Sequence, residues 1–380
     1  MKILISPTVL ITKKYLTNPF NNLLVNLLKI KINHKVEMIN GELNHYGEIG
    51  KIIGKDNLFF LDELHPIYIG EGKSLYGNHK KNIKLVESYP SNFGFDKPNY
   101  IQLKEVLKNK VKFDFAIFSY KSYEENYKLI PFLKSQKTKV VMFDKNDDQA
   151  IFFDKEKLQI RKKYKLDFDI ILKQDIPLEN KEINVYPIAP IPCVIDENKI
   201  NLKKSYYDSS EITFFFSGDY RKNQTRKDRL DLVNYINNNF SNHILNLTTR
   251  RSKFFSKNEQ DRYLYTSKVN ISASGKVWDS YRHCELVNYG APILIPKPDV
   301  KTATGEFIDM KNCIIYDTDK TENDYILKNA KELKLKLNEV INNKKIRSEI
   351  YENYYSLIKN YHSRIKRSEY IVNIFKSHLK

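Results

Sequence analysis

Residues 269–296 read VNISASGKVWDSYRHCELVNYGAPILIP. An apolar run closes at Ser274, Gly275 opens a polar turn, a helical stretch runs to Gly290, and a second apolar run, APILIP (291–296), follows. This is the strand, loop, helix, strand grammar of a parallel α/β unit. Asp279 or Ser280 suits the helix N-cap, while Gly290 is a C-terminal stop with Pro292 just beyond it. Arg282 and Glu285 stand three apart, so they share a helical face, and in this grammar that face turns toward the strand ends. An arginine in a first turn opposes the helix dipole, so local stability does not explain Arg282. An anionic ligand would, with Ser280, Tyr281 and backbone amides beside it and Glu285 accepting from ribose hydroxyls. An internal Arg282–Glu285 ion pair with no ligand is the plain alternative.

The same alternation extends in both directions. MKILIS, FDFAIFSY (113–120), KVVMFD (139–144), FDIILK (168–173) and INVYPIAP (183–190) read as strands, with NPFNNLLVNLLKIKIN and SYEENYKLIPFLKSQ as helices between them. Residues 190–211 lose periodicity and carry Pro, Asn, Lys and Ser, as a linker does. A second series follows: EITFFFSG (211–218), a helix over 225–239, HILNLTT (243–249), the stretch quoted above and NCIIYD (312–317). Beyond Thr321 there is no Gly or Pro, and two or three helices are expected, with Ile365, Tyr370, Ile371 and Ile374 forming an apolar stripe that packs back on the first half. The predicted fold class is α/β: a Rossmann-like domain over 1–195, a second over 205–345, a cleft between them, and C-terminal helices over 346–380.

FFFSGDYRKNQTRKDRL (214–230) repeats the grammar of a strand running into a polar loop and a helix. Gly218 admits a close backbone approach, the helix start offers free N–H groups, and Arg221, Arg226 and Arg229 add charge for phosphate oxygens. A solvated basic turn reads equally from these residues, because no complete G-x-G-x-x-G or P-loop pattern is present.

Three cysteines, Cys193, Cys284 and Cys313, fit neither a disulfide framework nor a zinc site, which predicts a reducing, cytoplasmic setting. The net charge of +18 admits a nucleic acid, an anionic membrane surface or a phosphate-bearing small molecule as partner, or an ordinary lysine-rich surface. Only TTRRSKFFSKNEQ (248–260) mixes basic and aromatic residues in the manner of a nucleic-acid loop, and no nucleic-acid-binding motif accompanies it. The basic C-terminal helices leave peripheral contact with an anionic membrane open.

The string SGKVWDSYRHCELVNYGAPILI (274–295) resembles the nucleotide-sugar motif of exostosin-like and related GT-B glycosyltransferases, in which a Gly loop precedes Ser-x-Arg-x-x-Glu and a small-residue turn with Pro. VVMFDKNDD (140–148), FDIILKQDI (168–176) and FFFSGDYRKNQTRKDR (214–229) fit the same pattern, so the resemblance is clearest over 139–296. It implies a GT-B architecture and a hexosyltransferase-type enzyme that moves a sugar from a nucleotide-sugar donor to a carbohydrate or glycolipid acceptor in surface polysaccharide or lipopolysaccharide synthesis. Arg282 would meet the diphosphate and Glu285 the ribose, with Gly218, Arg229, Gly275 and Ser280 supporting the phosphates. Many retaining members carry a second Glu eight residues before the ribose-binding one; here that position is Val277, which points to inversion. The leaving group would then be stabilised by cations without a required metal, and the base would be Asp147 or Asp148, after the strand KVVMFD. Those two carboxylates read equally as a solvated acidic turn, and His34 and His45 are weaker candidates for the base. A nucleic-acid-binding protein, and a catalytically inactive relative that only binds nucleotide or glycan, are the alternative functions.

Overall fold

The computed structural model describes residues 1–6, 9–11, 32–38, 48–61, 68–69, 73–74, 83–87, 99–101, 103–119, 129–144, 168–174, 176–181, 183–188, 193–200, 212–219, 226–248, 255–275, 278, 280–303, 305–321 and 324–379. Two parallel sheets dominate. The first is built from β1 (Ile3–Ser6), β2 (Leu58–Leu61), β3 (Asn99–Ile101), β4 (Phe115–Ser119), β5 (Lys139–Asp144), β6 (Ile170–Lys173) and β7 (Val185–Pro187), in the order β7-β6-β5-β4-β1-β2-β3. The second is built from β8 (Ile212–Asp219), β9 (His243–Thr248), β10 (Ser267–Ile271), β11 (Ile293–Pro296) and β12 (Ile314–Tyr316), in the order β9-β8-β10-β11-β12. The strand order reverses between β1 and β4 in the first sheet and between β8 and β10 in the second.

Strands this apolar bury both faces, as parallel sheets do. In the first sheet Ile3, Ile5, Phe115, Ile117, Val141 and Phe143 point to one side, while Leu4, Ala116, Phe118, Val140 and Met142 point to the other. The second side is covered by two short helices, α1 (Leu103–Leu107) and α2 (Leu129–Ser135). In the second sheet, α3 (Lys227–Asn239) covers one face through Leu232, Val233 and Ile236, and α4 (Lys257–Thr266) starts at Ser256 with a reciprocal capping box to Glu259. A short hairpin, β13 (Thr318–Lys320) with β14 (Tyr325–Leu327), lies against α3; two three-residue strands are too brief to leave a period-2 signal in the sequence.

Three helices complete the chain: α6 (Ala330–Asn342), α7 (Lys344–Leu357) and α8 (Arg364–His378), with α5 (Arg282–Glu285) lying earlier, in the quoted stretch. The helix α8 crosses to the first sheet, where Ile371, Val372, Ile374 and Phe375 join its core and Phe375 stacks on Phe115 at 4.7 Å between ring centroids. Ile365, expected in that apolar stripe, is instead 37% exposed, and Val372 and Phe375 take its share of the contact. No helix among the described residues is long and apolar enough to cross a membrane.

Two chain crossings join the halves. At the first, the Cys193 N–H donates to the His362 carbonyl (3.2 Å) and the Arg364 N–H donates to the Cys193 carbonyl (3.0 Å), where α7 ends in a π turn over Ile358–His362. Residue 193 belongs to the stretch read as linker, and here its backbone is paired. At the second, Pro177 bridges Val300 and the Lys301 N–H donates to Ile176 (2.8 Å). Ile176 lies just past β6 and Val300 just past β11, so the carboxyl edges of the two sheets face one another.

Candidate functional site

In open α/β sheets a ligand sits outside the carboxyl ends of the strands where their order reverses. In the second sheet that point lies between β8, which ends Ser217-Gly218-Asp219, and β10, which runs on into Ser272-Ala273-Ser274-Gly275. Two arginines tie these ends together. Arg282 donates through Nη1 to the Ser217 carbonyl at 2.9 Å. Arg229, 8% exposed on α3, donates through Nε to the Ser274 carbonyl at 2.9 Å and through Nη2 to the Ala273 carbonyl at 3.3 Å. The N–H of Arg226, at the N-cap of α3, donates to the Gly275 carbonyl at 3.1 Å.

These contacts sort the sequence candidates. Arg226 is 4% exposed; its guanidinium pairs with Asp228 (3.2 Å) and Asp299 (3.1 Å) and lies over the Tyr325 ring at 3.5 Å. It is a structural cation, already neutralised. Arg229 is likewise turned inward and acts by shaping the Ser274–Gly275 turn. Arg282 differs: it is half-buried, and among the residues whose side chains are described no carboxylate lies within ion-pair distance of it. Glu285 is exposed, and no ion pair joins it to Arg282. The N-cap of α5 is Tyr281, without a side-chain cap, rather than Asp279 or Ser280; Ser280 Oγ accepts from the Arg282 N–H at 3.3 Å, and Tyr281 is 45% exposed. The helix passes into a 3-10 turn over Leu286–Tyr289 and stops at Gly290 with φ 65°, a left-handed conformation that favours glycine.

The two glycines differ as well. A Cβ on Gly218 would lie 2.5 Å from the Phe216 ring, so glycine is demanded there by its own strand. A Cβ on Gly275 would meet nothing within 4 Å, so the turn above β10 borders open space. Arg221, Asp147, Asp148 and His45 lie outside the described residues, as do Val277 and Asp279. For His34, in Ile32–Met38, only the backbone is described.

Next to Arg282 is a group the sequence reading did not single out. His283 is 1% exposed, and burial pushes its imidazole down to about 4, helped by the charges of Arg226, Arg282 and Arg229. A neutral ring satisfies both neighbours: Ser272 donates its hydroxyl proton to Nδ1 (2.7 Å), and Nε2–H donates to the Trp278 carbonyl (2.8 Å). Trp278 in turn donates its indole N–H to the Pro296 carbonyl at 2.8 Å. The signal for His283 was its position one residue inside Arg282, on the face that also carries Leu286 and Val287. The guanidiniums of Arg226, Arg282 and Arg229 all act on His283, and that of Arg226 is paired with carboxylates. Asp228, held without exposure, has its carboxyl pushed up by burial against the opposing pull of Arg226.

A pocket opens beside this site toward the crossing between the halves, lined by Trp278, Ser280, Tyr281, Lys301, Thr302 and Arg367 among others. Its floor includes His362, whose Nε2–H donates to the Gly305 carbonyl at 3.1 Å and whose Nδ1 accepts from Arg367.

No family model matches the chain, and no curated protein matches it in sequence. Solved structures do match. Sucrose-phosphate synthase from Thermosynechococcus elongatus superposes over 99% of this chain and 98% of its own, with a TM-score of 0.50 at 9% identity. The fold is the GT-B architecture. TarM (14% identity, 69% of this chain and 54% of that one, TM-score 0.41) and a UDP-glucose: anthocyanidin 3-O-glucosyltransferase in complex with UDP (11% identity, 99% of each chain, TM-score 0.31) also match this GT-B chain.

Proposed function

We propose that this chain is a glycosyltransferase that moves a sugar from a nucleotide-sugar donor to a carbohydrate or glycolipid acceptor. The observation that carries this reading is Arg282: a half-buried guanidinium without a carboxylate partner among the described residues, fixed by Ser217 at the strand-order reversal of the second sheet. Such a cation, beside an open glycine turn, suits a diphosphate. Similarity of fold to a structure named as a sucrose-phosphate synthase supports the same class.

In this reading Arg282 takes the diphosphate oxygens, Ser280 and the α5 amides assist, Tyr281 flanks the donor, and Glu285 accepts from the ribose hydroxyls. Arg229 and Gly275 shape the turn, Gly218 keeps the end of β8 close, and Arg226 holds the start of α3. The acceptor oxygen attacks the anomeric carbon as the bond to the diphosphate breaks, and Asp147 or Asp148 takes the acceptor's proton. Transfer of a hexose is inverting, because Val277 stands where a retaining enzyme's second Glu would be, and Arg282 serves the leaving group without a metal. The exostosin-like pattern of 274–295 favours surface polysaccharide or lipopolysaccharide as the product class, made at the inner face of a membrane that the basic chain contacts peripherally.

A thermal-shift panel of UDP, GDP, CMP and ADP, each with and without Mg²⁺, tests the reading, because a ligand of the native state raises the melting temperature by mass action. One nucleotide is expected to stabilise the protein with or without Mg²⁺. A flat response to all four contradicts a donor site.

A further inference from the structure

Buried polar side chains in the first sheet are unevenly placed. Among the described residues they are Ser6, Thr138, Asp144, Lys173 and Gln174, and all but Thr138 stand at the carboxyl ends of strands. Thr138, at the opposite edge, simply donates to the Phe113 carbonyl at 2.9 Å. Asp144 and Lys173 close β5 and β6 as register partners, with Lys173 Nζ 3.2 Å from Asp144 Oδ2 and exposures of 0% and 3%. Every position before them from Val140 to Phe143 and from Ile170 to Leu172 is apolar and buried. The buried charge appears only at the carboxyl edge.

A buried pair of this kind is weak evidence of a stabilising role. Taking an ammonium and a carboxylate out of water costs more than their attraction returns in many proteins, and an apolar pair of similar volume is commonly as stable. Its place is informative, because the carboxyl edge of this sheet faces that of the second sheet: Ile176, three residues past Lys173, receives the Lys301 N–H. The pair therefore stands across the cleft from the Arg282 site, and the Gln174 N–H fastens the chain beyond it to the Asp144 carbonyl at 3.0 Å.

We propose that the Asp144–Lys173 ion pair is a positioning pair for the acceptor side of the transfer reaction, holding the first sheet's carboxyl edge in register with the donor site. This rests on the glycosyltransferase reading given above. The pair acts on transfer and leaves nucleotide binding untouched, because the donor groups all belong to the second sheet, its helices and the turns between them. A purely structural pair would be replaceable by apolar residues; a positioning pair would not.

The test is the double variant Asp144→Leu/Lys173→Met, since either single change removes one half of the buried ion pair and leaves the other charged. Wild type and variant are compared for melting temperature, for affinity toward UDP, GDP, CMP and ADP, and for transfer from the sugar nucleotide of the stabilising base to p-nitrophenyl glycosides. The expected result is an unchanged melting temperature and nucleotide affinity with kcat for transfer lowered about 100-fold, the scale that misplacement of reacting groups produces. Transfer within a few-fold of wild type overturns the positioning role and leaves the donor site standing. A wild-type protein that binds none of the nucleotides removes the glycosyltransferase reading, and this proposal with it.

Discussion

Arg282 and Ser217 stand 65 residues apart, and the bond from Arg282 Nη1 to the Ser217 carbonyl, at 2.9 Å, brings the quoted helix onto the end of β8. The Ser217 carbonyl is the only protein acceptor of the Arg282 guanidinium among the residues whose side chains are described. No carboxylate whose side chain is described lies within ion-pair distance of that guanidinium, which is why an anion is placed there in the proposed function.

The burial of His283 predicts a pH dependence of stability. Its folded value, about 4, lies below the ordinary value of 6.5, so the unfolded chain binds the proton more readily. The stability that a neutral His283 contributes is whole above pH 6.5 and is lost as the pH falls toward 4. Between pH 6 and pH 5 the loss from this group is about 1 kcal/mol. Burial also holds His362 well below its ordinary value, with the Arg367 charge adding to the effect, so it steepens the same slope. Urea unfolding at the two pH values checks this: His283→Gln is expected to flatten the difference, and an equal slope in the variant contradicts the assignment.

Phe375 carries the return of α8 to the first sheet. It is fully buried and stacked on Phe115. Phe375→Ala is expected to cost roughly 3–5 kcal/mol, the usual range for removing a buried aromatic ring. Urea denaturation reads the change; a cost under about 1 kcal/mol would show that α8 is not seated on this core.

Gly305 sits at φ 69°, and a Cβ there would fall 2.7 Å from Tyr361 Cβ. Gly305→Ala therefore meets both a left-handed backbone and a close neighbour in the turn that His362 clamps. The expected destabilisation is about 1–3 kcal/mol, visible as a lowered melting temperature. A neutral substitution would mean that the loop relaxes away from the π turn at no cost.

How much of this was legible in the sequence depended on how local each signal is. The strands Ile212–Asp219 and Ile293–Pro296 were readable because their apolar runs end at Gly or Pro, and the α5 stop was readable from Gly290. The role of Arg226 was not, because its partners Asp299 and Thr318 lie 73 and 92 residues away and meet it only after the sheet forms. From its neighbours alone it looked like one more cation for phosphate. His283 was hidden for the opposite reason: it stood inside the motif, but only burial and the Ser272 hydroxyl give it a protonation state. The Asp144–Lys173 pair was read as two strand ends, since nothing in either segment announces that β5 and β6 lie side by side in register.

The central claim is that Arg282 binds the diphosphate of a nucleotide donor. Isothermal titration of UDP, GDP and ADP into wild type, Arg282→Lys and Arg282→Ala tests it most directly. The account predicts that one nucleoside diphosphate binds the wild type and that Arg282→Ala weakens it by roughly 10- to 100-fold, as expected for loss of charge-assisted hydrogen bonds, with Arg282→Lys between the two. Equal affinity in wild type and Arg282→Ala would contradict it.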